Sequence, residues 1–565
     1  MERKNIPVNQ NFLRRSIMLS LSTSLILAPL PAMAADLPVS AGSAASGINQ
    51  SRGWQPKADE ADVKVDLGKL AVNNSDMKIK LSTIKFSGQT LYTEAELEAQ
   101  IQDLRKPEVT FADLQAMAQR ITDLYHKGGY ITAIAYLPAQ NIVDGVVTIG
   151  ILEGHYDQKS YENTSELVTG RADGLTHLAK KGRIIRLQDL DRTVLILNDI
   201  PGVRAHVYIS PGSETGTAHT TFKLTRTERS GGFLYVDNYG NRYTGRERIG
   251  GLYHWDNVGH VGDQLQIGYL RSFRGDDLGN YDIRYELPVS NYGTFGGIEF
   301  SRTNYELGEN YRRINAYGTS STWRIYSRTP WKRTQNNNLY FHFSYAHSNL
   351  TDRIDIFRTD AEKHGDAIRF GLDGDYRNSH SASTYKLMHT IGHIGMDTDY
   401  SRNQDKYHTE GYYQKTTLDA YHIERLNDRW NLHASLTAQI GWKNLDSSEK
   451  FYIGGYNAVR AYPQGETGGD SGILGSLEFR YRTGNPHIQL AGFYDFGYVR
   501  CQHEALPTDT SNSRTLAGIG LGILWSSNGN SFARLDYAIP LTNHHSENEG
   551  KDIGSRWWFQ YIQKI

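Results

Sequence analysis

The residues best suited to chemistry sit near the C-terminal end of the chain, in two runs that each couple one charge to glycines and aromatics. The first holds Gly454, Gly455, Val459, Arg460, Ala461 and Tyr462; the second holds Phe493, Asp495 and Gly497. In a half of the chain built from alternating strands, this composition describes an arginine-tipped loop and a lumen-facing aspartate. Such an ion pair could latch a gated β-barrel. A pair at contact distance attracts by roughly 4 kcal/mol at an effective dielectric of 20, and desolvation offsets much of that. The magnitude suits a positioning latch, and no catalytic residue is needed for it.

Other candidate chemistry is weaker. Gly469-Asp470-Ser471-Gly472 has the residue types of a trypsin-like nucleophile loop, but it leads straight from the arginine run into a strand pattern. The single Cys501 excludes an intramolecular disulfide framework and a Cys-rich zinc site. His389 and His393 have the spacing of a zinc helix without its glutamate and fall in a strand-like stretch, and His544-His545 sits in a polar loop. Neither a metal nor a cofactor is expected. The net charge of −1 gives no nucleic-acid footprint.

The elements that must position Arg460 and Asp495 follow from period-two alternation. From Trp430 to Trp442, the even-numbered residues Trp430, Leu432, Ala434, Leu436, Ala438, Ile440 and Trp442 share one face, and Asn431, His433, Ser435, Thr437, Gln439 and Gly441 the other. That is longer than the ~9 to 11 residues a tilted strand needs to cross a bilayer, with Trp where aromatic girdles belong. Segments around Leu339 to Ala346 and Leu477 to Arg482 repeat the pattern, apolar outward and charged inward. A composition with 36 Tyr, 9 Trp and 55 Gly and a negative mean hydropathy fits a barrel whose lipid contact uses alternate side chains only. Residues 229–565 leave room for about sixteen antiparallel strands. By the same count Asp495 points into the lumen, and on the next strand Gly518, Gly520 and Gly522 form an inward track without side chains, with Arg534 and Asp536 beside it. A backbone can approach such a track closely. The loop bearing Arg460 is therefore expected to fold inward over it and meet Asp495.

Residues 1–35 read as a secretory signal: Arg3, Lys4, Arg14 and Arg15, an apolar stretch, then Ala32-Met33-Ala34. Residues 36–78 read as a linker with a plug segment as a possibility but no convincing amphipathic helix. Two α/β units precede the barrel, at 79–154 and 155–228. In the first, Thr93 with Glu96 forms a capping box, a second helix starts at Thr110 and stops at Gly128-Gly129, and strands at 131–137 and 146–152 join across a turn containing Asp144-Gly145. An opening strand at 79–86 completes a β-α-α-β-β order. In the second, a helix ends at Asn198-Asp199 before a hairpin, 203–209 with 217–224. Sheet edges in such units can accept an extended peptide.

The residues Gly129, Tyr130, Pro138, Gln140, Asp144, Gly145, Glu153 and Gly154, with Asn198, Pro201 and Gly202 in the second unit, resemble the POTRA domains of two-partner secretion transporters, the TpsB proteins. Asp237-Asn238-Tyr239-Gly240 and both opening runs extend the resemblance over residues 79 to 565. It implies a signal-cleaved transmembrane β-barrel of sixteen strands in the outer membrane of a Gram-negative bacterium, with its two POTRA domains in the periplasm. It also implies a large exoprotein partner with an N-terminal secretion domain, such as an adhesin, haemolysin or contact-dependent toxin. Outer-membrane lipid and, during biogenesis, the barrel-assembly machinery are the other implied partners. An assembly insertase is the alternative, although it would ordinarily carry more POTRA domains. Ala461 stands where the family commonly has glycine, and Ile565 where it commonly has a terminal Phe.

Overall fold

A computed structural model describes residues 63–65, 78–273, 278–527, 529–542, 544–546 and 548–565. The expected signal at 1–35 and nearly all of the 36–78 linker lie outside the described residues. The described chain forms two small mixed units and a closed barrel of sixteen strands, from Ser230–Asp237 to Arg556–Lys564.

In the first unit the helices Glu94–Ile101 and Phe111–Lys127 both begin on a complete capping box, Thr93 with Glu96 and Thr110 with Asp113. They bury Leu97, Ile101, Leu114, Met117 and Ile121 against a sheet in which Thr83–Ser87 runs parallel to Val146–Leu152 and Ile134–Tyr136 antiparallel to it. Two expectations change here. The opening strand is broken: Lys78–Lys80 pairs with Glu108–Thr110, and Thr83–Ser87 joins the main sheet. The strand expected over 131–137 keeps only Ile134–Tyr136, because Pro138 ends the ladder and the Gln140 side chain takes over. Its amide accepts from the Thr148 N–H at 2.7 Å and donates to the Thr148 carbonyl at 2.8 Å, as a neighbouring strand would.

The second unit packs the helix Leu187–Asn198 on the hairpin Val203–Pro211 and Thr217–Arg226. It also contains the strand His155–Asn163 and the helix Thr169–Leu175, which periodicity did not announce. On the opposite edge, Val63–Val65 pairs in parallel with Val203–Pro211. One edge of this sheet is thus occupied in part by the chain's own linker.

The barrel reverses the usual distribution of polarity. Its outer face exposes Ile325, Phe343, Leu387, Ile440, Leu477 and Leu521, whereas its inner face buries Asp282, Glu299, Asp373, Glu478, Arg480, Asp495 and Arg534. Alternation places lipid outside and polar groups inside. Strand length varies around the wall, from 8 residues in Ser230–Asp237 to 19 in Thr359–Arg377.

Candidate functional site

The connection between Trp430–Gly441 and Ser471–Arg482 turns inward, and its tip meets the inner wall of the barrel. Its stem is a short hairpin, Phe451–Ile453 with Thr467–Gly469. Ion pairs brace that stem: at its base Lys450 donates to the fully buried Asp470 at 2.6 Å, and from the wall Lys415 meets Glu449 at 2.8 Å and Lys363 meets Asp446 at 2.7 Å. Beyond the stem, Gly454 and Gly455 adopt φ of 124° and 116°, conformations that L side chains rarely reach. A Cβ on Gly455 would lie 2.1 Å from Gln464 Oε1, so the turn needs both freedom and space.

Arg460 sits at the tip with its donors all engaged. Nε and Nη2 form a fork on Asp495, each at 2.8 Å, and the Arg460 backbone N–H also donates to Asp495. Nη1 reaches Glu478 at 2.7 Å and Asp536 at 3.3 Å, and Nη2 also reaches Ser476 at 3.2 Å. Glu478 in turn takes Arg480 and Arg534, and Arg534 binds Asp536. Three guanidinium groups and three carboxylates therefore balance inside the lumen, the condition under which buried charges persist. The Phe493 ring lies 3.3 Å below the Arg460 guanidinium carbon, a cation–π contact.

The remaining motif residues shape the seat. Val459, Ala461 and Tyr462 are buried with Phe493 in one apolar cluster, and a Cβ on Gly497 would come within 3.1 Å of Val459. The expected glycine track divides its work. At Gly518 a Cβ would stand 2.6 Å from Ala461 Cβ, so the loop does cross that position. Gly520 instead makes room for the Phe493 ring, at 2.3 Å from such an atom, and Gly522 for the Asp536 carboxylate, also at 2.3 Å. The expectation of a backbone laid along all three is therefore corrected: two of them admit the wall side chains that hold Arg460.

Glu478, Ser476, Arg480 and Trp558 were absent from the expected site. Alternation puts Glu478 and Arg480 on the inward face, but no local pattern says which inward charges meet across a lumen. Trp558 had a signal, since it is a large aromatic on the wet face; its indole N–H donates to the Arg460 carbonyl at 2.6 Å.

The POTRA motif residues serve the joints of the periplasmic units. Glu153 is buried and accepts from the Thr90 and Leu91 amides at 2.6 and 2.9 Å, from the Tyr125 hydroxyl at 2.9 Å, and from the Thr90 hydroxyl. Burial pushes its carboxyl up, but the Thr90 hydroxyl and these further donors outweigh that and hold it below the usual carboxylate range. At Gly154 a Cβ would meet Thr132 Oγ1 at 2.1 Å. Gly129 offers its carbonyl to the Leu187 N–H at 2.8 Å, and Arg186 lies over the Tyr130 ring, so this run joins the two units. Asp144 and Gly145 both have positive φ, 54° and 72°. Asn198 ties its helix to the hairpin by accepting from the Ala205 N–H at 2.7 Å. After Pro201, Gly202 packs within reach of Asp256 and Asn257 of the barrel. The second unit is docked there: Arg333, in a periplasmic turn, forks onto Asp199 at 2.8 Å through both Nε and Nη2, and the Val168 N–H donates to the His260 carbonyl at 2.9 Å.

The protease-like run has a structural role. Asp470 also accepts from the backbone N–H groups of Leu445 and His503, and Ser471 Oγ accepts from the Gly441 N–H at 3.0 Å. His389 and His393 lie on the strand Ser381–Met396, where His389 hydrogen-bonds Thr416 and His393 meets Tyr412 edge-on.

Comparison with known proteins agrees with this geometry. The family model described as haemolysin secretion/activation protein ShlB/FhaC/HecB matches residues 216–524, and the ShlB-type POTRA domain matches residues 79–154. The chain is 27% identical over 446 residues to the heme/hemopexin transporter protein HuxB of Haemophilus influenzae, covering 77% of this chain and 79% of that one. It is 25% identical over 415 residues to the outer membrane transporter CdiB of Dickeya dadantii, covering 71% and 72%. Among solved structures, CdiB from Escherichia coli aligns with a TM-score of 0.69 at 20% identity, over 88% of this chain and 92% of that one. BamA from Haemophilus ducreyi lacking POTRA domains 1–3 aligns with a TM-score of 0.53 at 14% identity, over 86% and 100%. At these identities the structural likeness is one of fold.

Proposed function

The chain belongs to the ShlB/FhaC/HecB haemolysin secretion/activation family of outer-membrane transporters, and from that premise we infer that it carries one large exoprotein from the periplasm to the cell surface through a lumen gated by residues 454–466. The observation that carries the gate is the full engagement of Arg460 by Asp495, Glu478 and Asp536. Seated, the loop occupies the path a translocating chain would take. Withdrawn, it leaves a polar lumen through which an extended polypeptide can pass, and folding outside gives the passage its direction without nucleotide hydrolysis.

The exoprotein's secretion domain first binds a POTRA sheet edge or groove. Val63–Val65 already covers part of one edge of the second unit, so displacement of that strand would accompany binding there. Outer-membrane lipid surrounds the exposed apolar band, and the barrel-assembly machinery inserts the barrel during biogenesis. Residues 1–35 direct the chain out of the cytoplasm and are removed.

Arg460→Ala and Asp495→Ala test the gate. Each is expected to raise the single-channel conductance of the purified protein in planar bilayers and to reduce surface exoprotein at least about ten-fold, since either change leaves the other charge of a buried pair uncompensated. Unchanged conductance and secretion in both would refute it. Gene deletion separates the broader readings: loss of one secreted protein supports transport of a dedicated cargo, whereas general failure of barrel proteins would identify an assembly insertase.

A further inference from the structure

We propose that the lumenal loop is tied to the barrel seam through Tyr456, so that seating the loop and closing the first strand against the last are one event. The proposal rests on the reading of 454–466 as a loop that leaves the lumen, and adds where its departure is felt.

The seam is the shortest ladder in the barrel wall. Ser230–Asp237 meets Arg556–Lys564 over five paired residues, 233–237 against 560–564, whereas the ladders on either side have eight each. At its extracellular end, three aromatic rings from three different segments come together. Tyr239 follows the first strand, Trp558 belongs to the last, and Tyr456 belongs to the loop. The Tyr239 and Tyr456 rings stack with centroids 3.8 Å apart and an interplanar angle of 12°. Trp558 stands edge-on to both, at 5.8 and 6.2 Å, and its indole donates to the Arg460 carbonyl. The three rings form a buried cluster of their own.

The seam's own groups hold Tyr239 in place. Arg248 and Asp237, both buried, form a two-point ion pair, and Asp237 accepts from the Tyr239 N–H at 2.9 Å. Asn238 continues the ladder with its side chain, donating to the Trp557 carbonyl and accepting from the Phe559 N–H. The main chain reaches the same point, the Asn238 N–H donating to the Phe559 carbonyl at 3.2 Å, and just beyond it the loop supplies the ring packed between the two ends of the sheet. Withdrawing Tyr456 strips both Tyr239 and Trp558 of a packed face at once. Tyr456 is a positioning residue for closure that adjoins the Arg460 latch: Arg534 lies over its ring at 5.7 Å, and Trp558 beside it holds the Arg460 carbonyl. Coupling of this kind is reciprocal: a seam that cannot open must hold the loop.

The test uses the full-length protein in outer-membrane vesicles with Cys501→Ser as background. Phe233→Cys and Lys564→Cys, directly opposed across the seam, supply an oxidisable lock within disulfide reach. Ala458→Cys, buried while the loop is seated, reports departure by its rate of maleimide labelling. Arg460→Ala raises that rate, with Arg460→Lys in its place if the first chain fails to show the heat-modifiable migration of a folded barrel. Oxidising the lock is expected to slow labelling about ten-fold. Tyr456→Ala abolishes the protection, and Tyr456→Phe retains it. Equal labelling with the lock open or oxidised overturns the coupling and leaves the loop reading standing. Absence of any rise with both Arg460 variants overturns both.

Discussion

At the scale of single residues, space and charge do different work in the lumen. Arg460 is held by charge, and removing one partner of a buried pair costs about 3–5 kcal/mol because the other is left uncompensated. Gly518 acts by absence. An added Cβ would lie 2.6 Å from Ala461, so Gly518→Ala should displace the loop, at a cost of about 1–3 kcal/mol, and raise conductance in planar bilayers. Gly279→Ala, whose Cβ meets nothing within 4 Å, is the matched control and should leave conductance unchanged. The periplasmic Glu153 gives a pH signature. Its carboxyl is held below the usual range despite burial, chiefly by Thr90. A lowered carboxylate contributes stability that is complete above its unfolded pKa and lost as pH falls through the folded value. Acidification should therefore lower the protection of the Thr90 and Leu91 amides, measured as their exchange rate relative to the intrinsic rate at each pH, and Glu153→Gln should show low protection already at neutral pH with little further change in acid. Protection that is equally high in both chains across this range would mean that the Glu153 carboxylate does not hold these amides.

At the scale of elements, the joints matter as much as the strands. The second POTRA unit meets the barrel through Asp199, at the end of the helix Leu187–Asn198, and Arg333, whose side chain is buried. Arg333→Ala leaves Asp199 without its fork and is expected to loosen this dock by about 3–5 kcal/mol, read as faster hydrogen exchange in residues 257–263 with the barrel strands unaffected. If exchange there stays the same, the ion pair does not carry the dock. Much of this organisation is legible in the sequence. The capping box at Thr93, the stop at Gly128 and the hairpin around Pro211 each come from local chemistry that acts within a few residues. Val63–Val65 is not legible, because three residues carry no periodicity and their parallel partner, Val207, lies far along the chain. The break between Lys78–Lys80 and Thr83–Ser87 is hidden for a related reason: it depends on Glu108–Thr110 and Val146–Leu152 capturing different halves of one alternating run.

At the scale of the whole molecule, period-two alternation announces the barrel because lipid and water impose opposite demands on successive side chains. It can assign Asp495 and Asp536 to the lumen, yet it cannot say that both converge on Arg460, since convergence depends on barrel closure and on a loop path set by Trp558 and Ala461. The wall itself is uneven. At ~3.4 Å per residue, the 8 residues of Ser230–Asp237 span about 27 Å along the strand, while the 19 of Thr359–Arg377 span about 65 Å. Tilted by ~40°, the short strand rises only about 20 Å, less than the ~25 Å apolar band of outer-membrane barrels. By this arithmetic lipid beside the first strand should compress or disorder to match it, whereas lipid beside the tall wall need not. The expected consequence is a fixed side on which the surrounding bilayer is thinnest, an orientation written into the membrane by strand length alone.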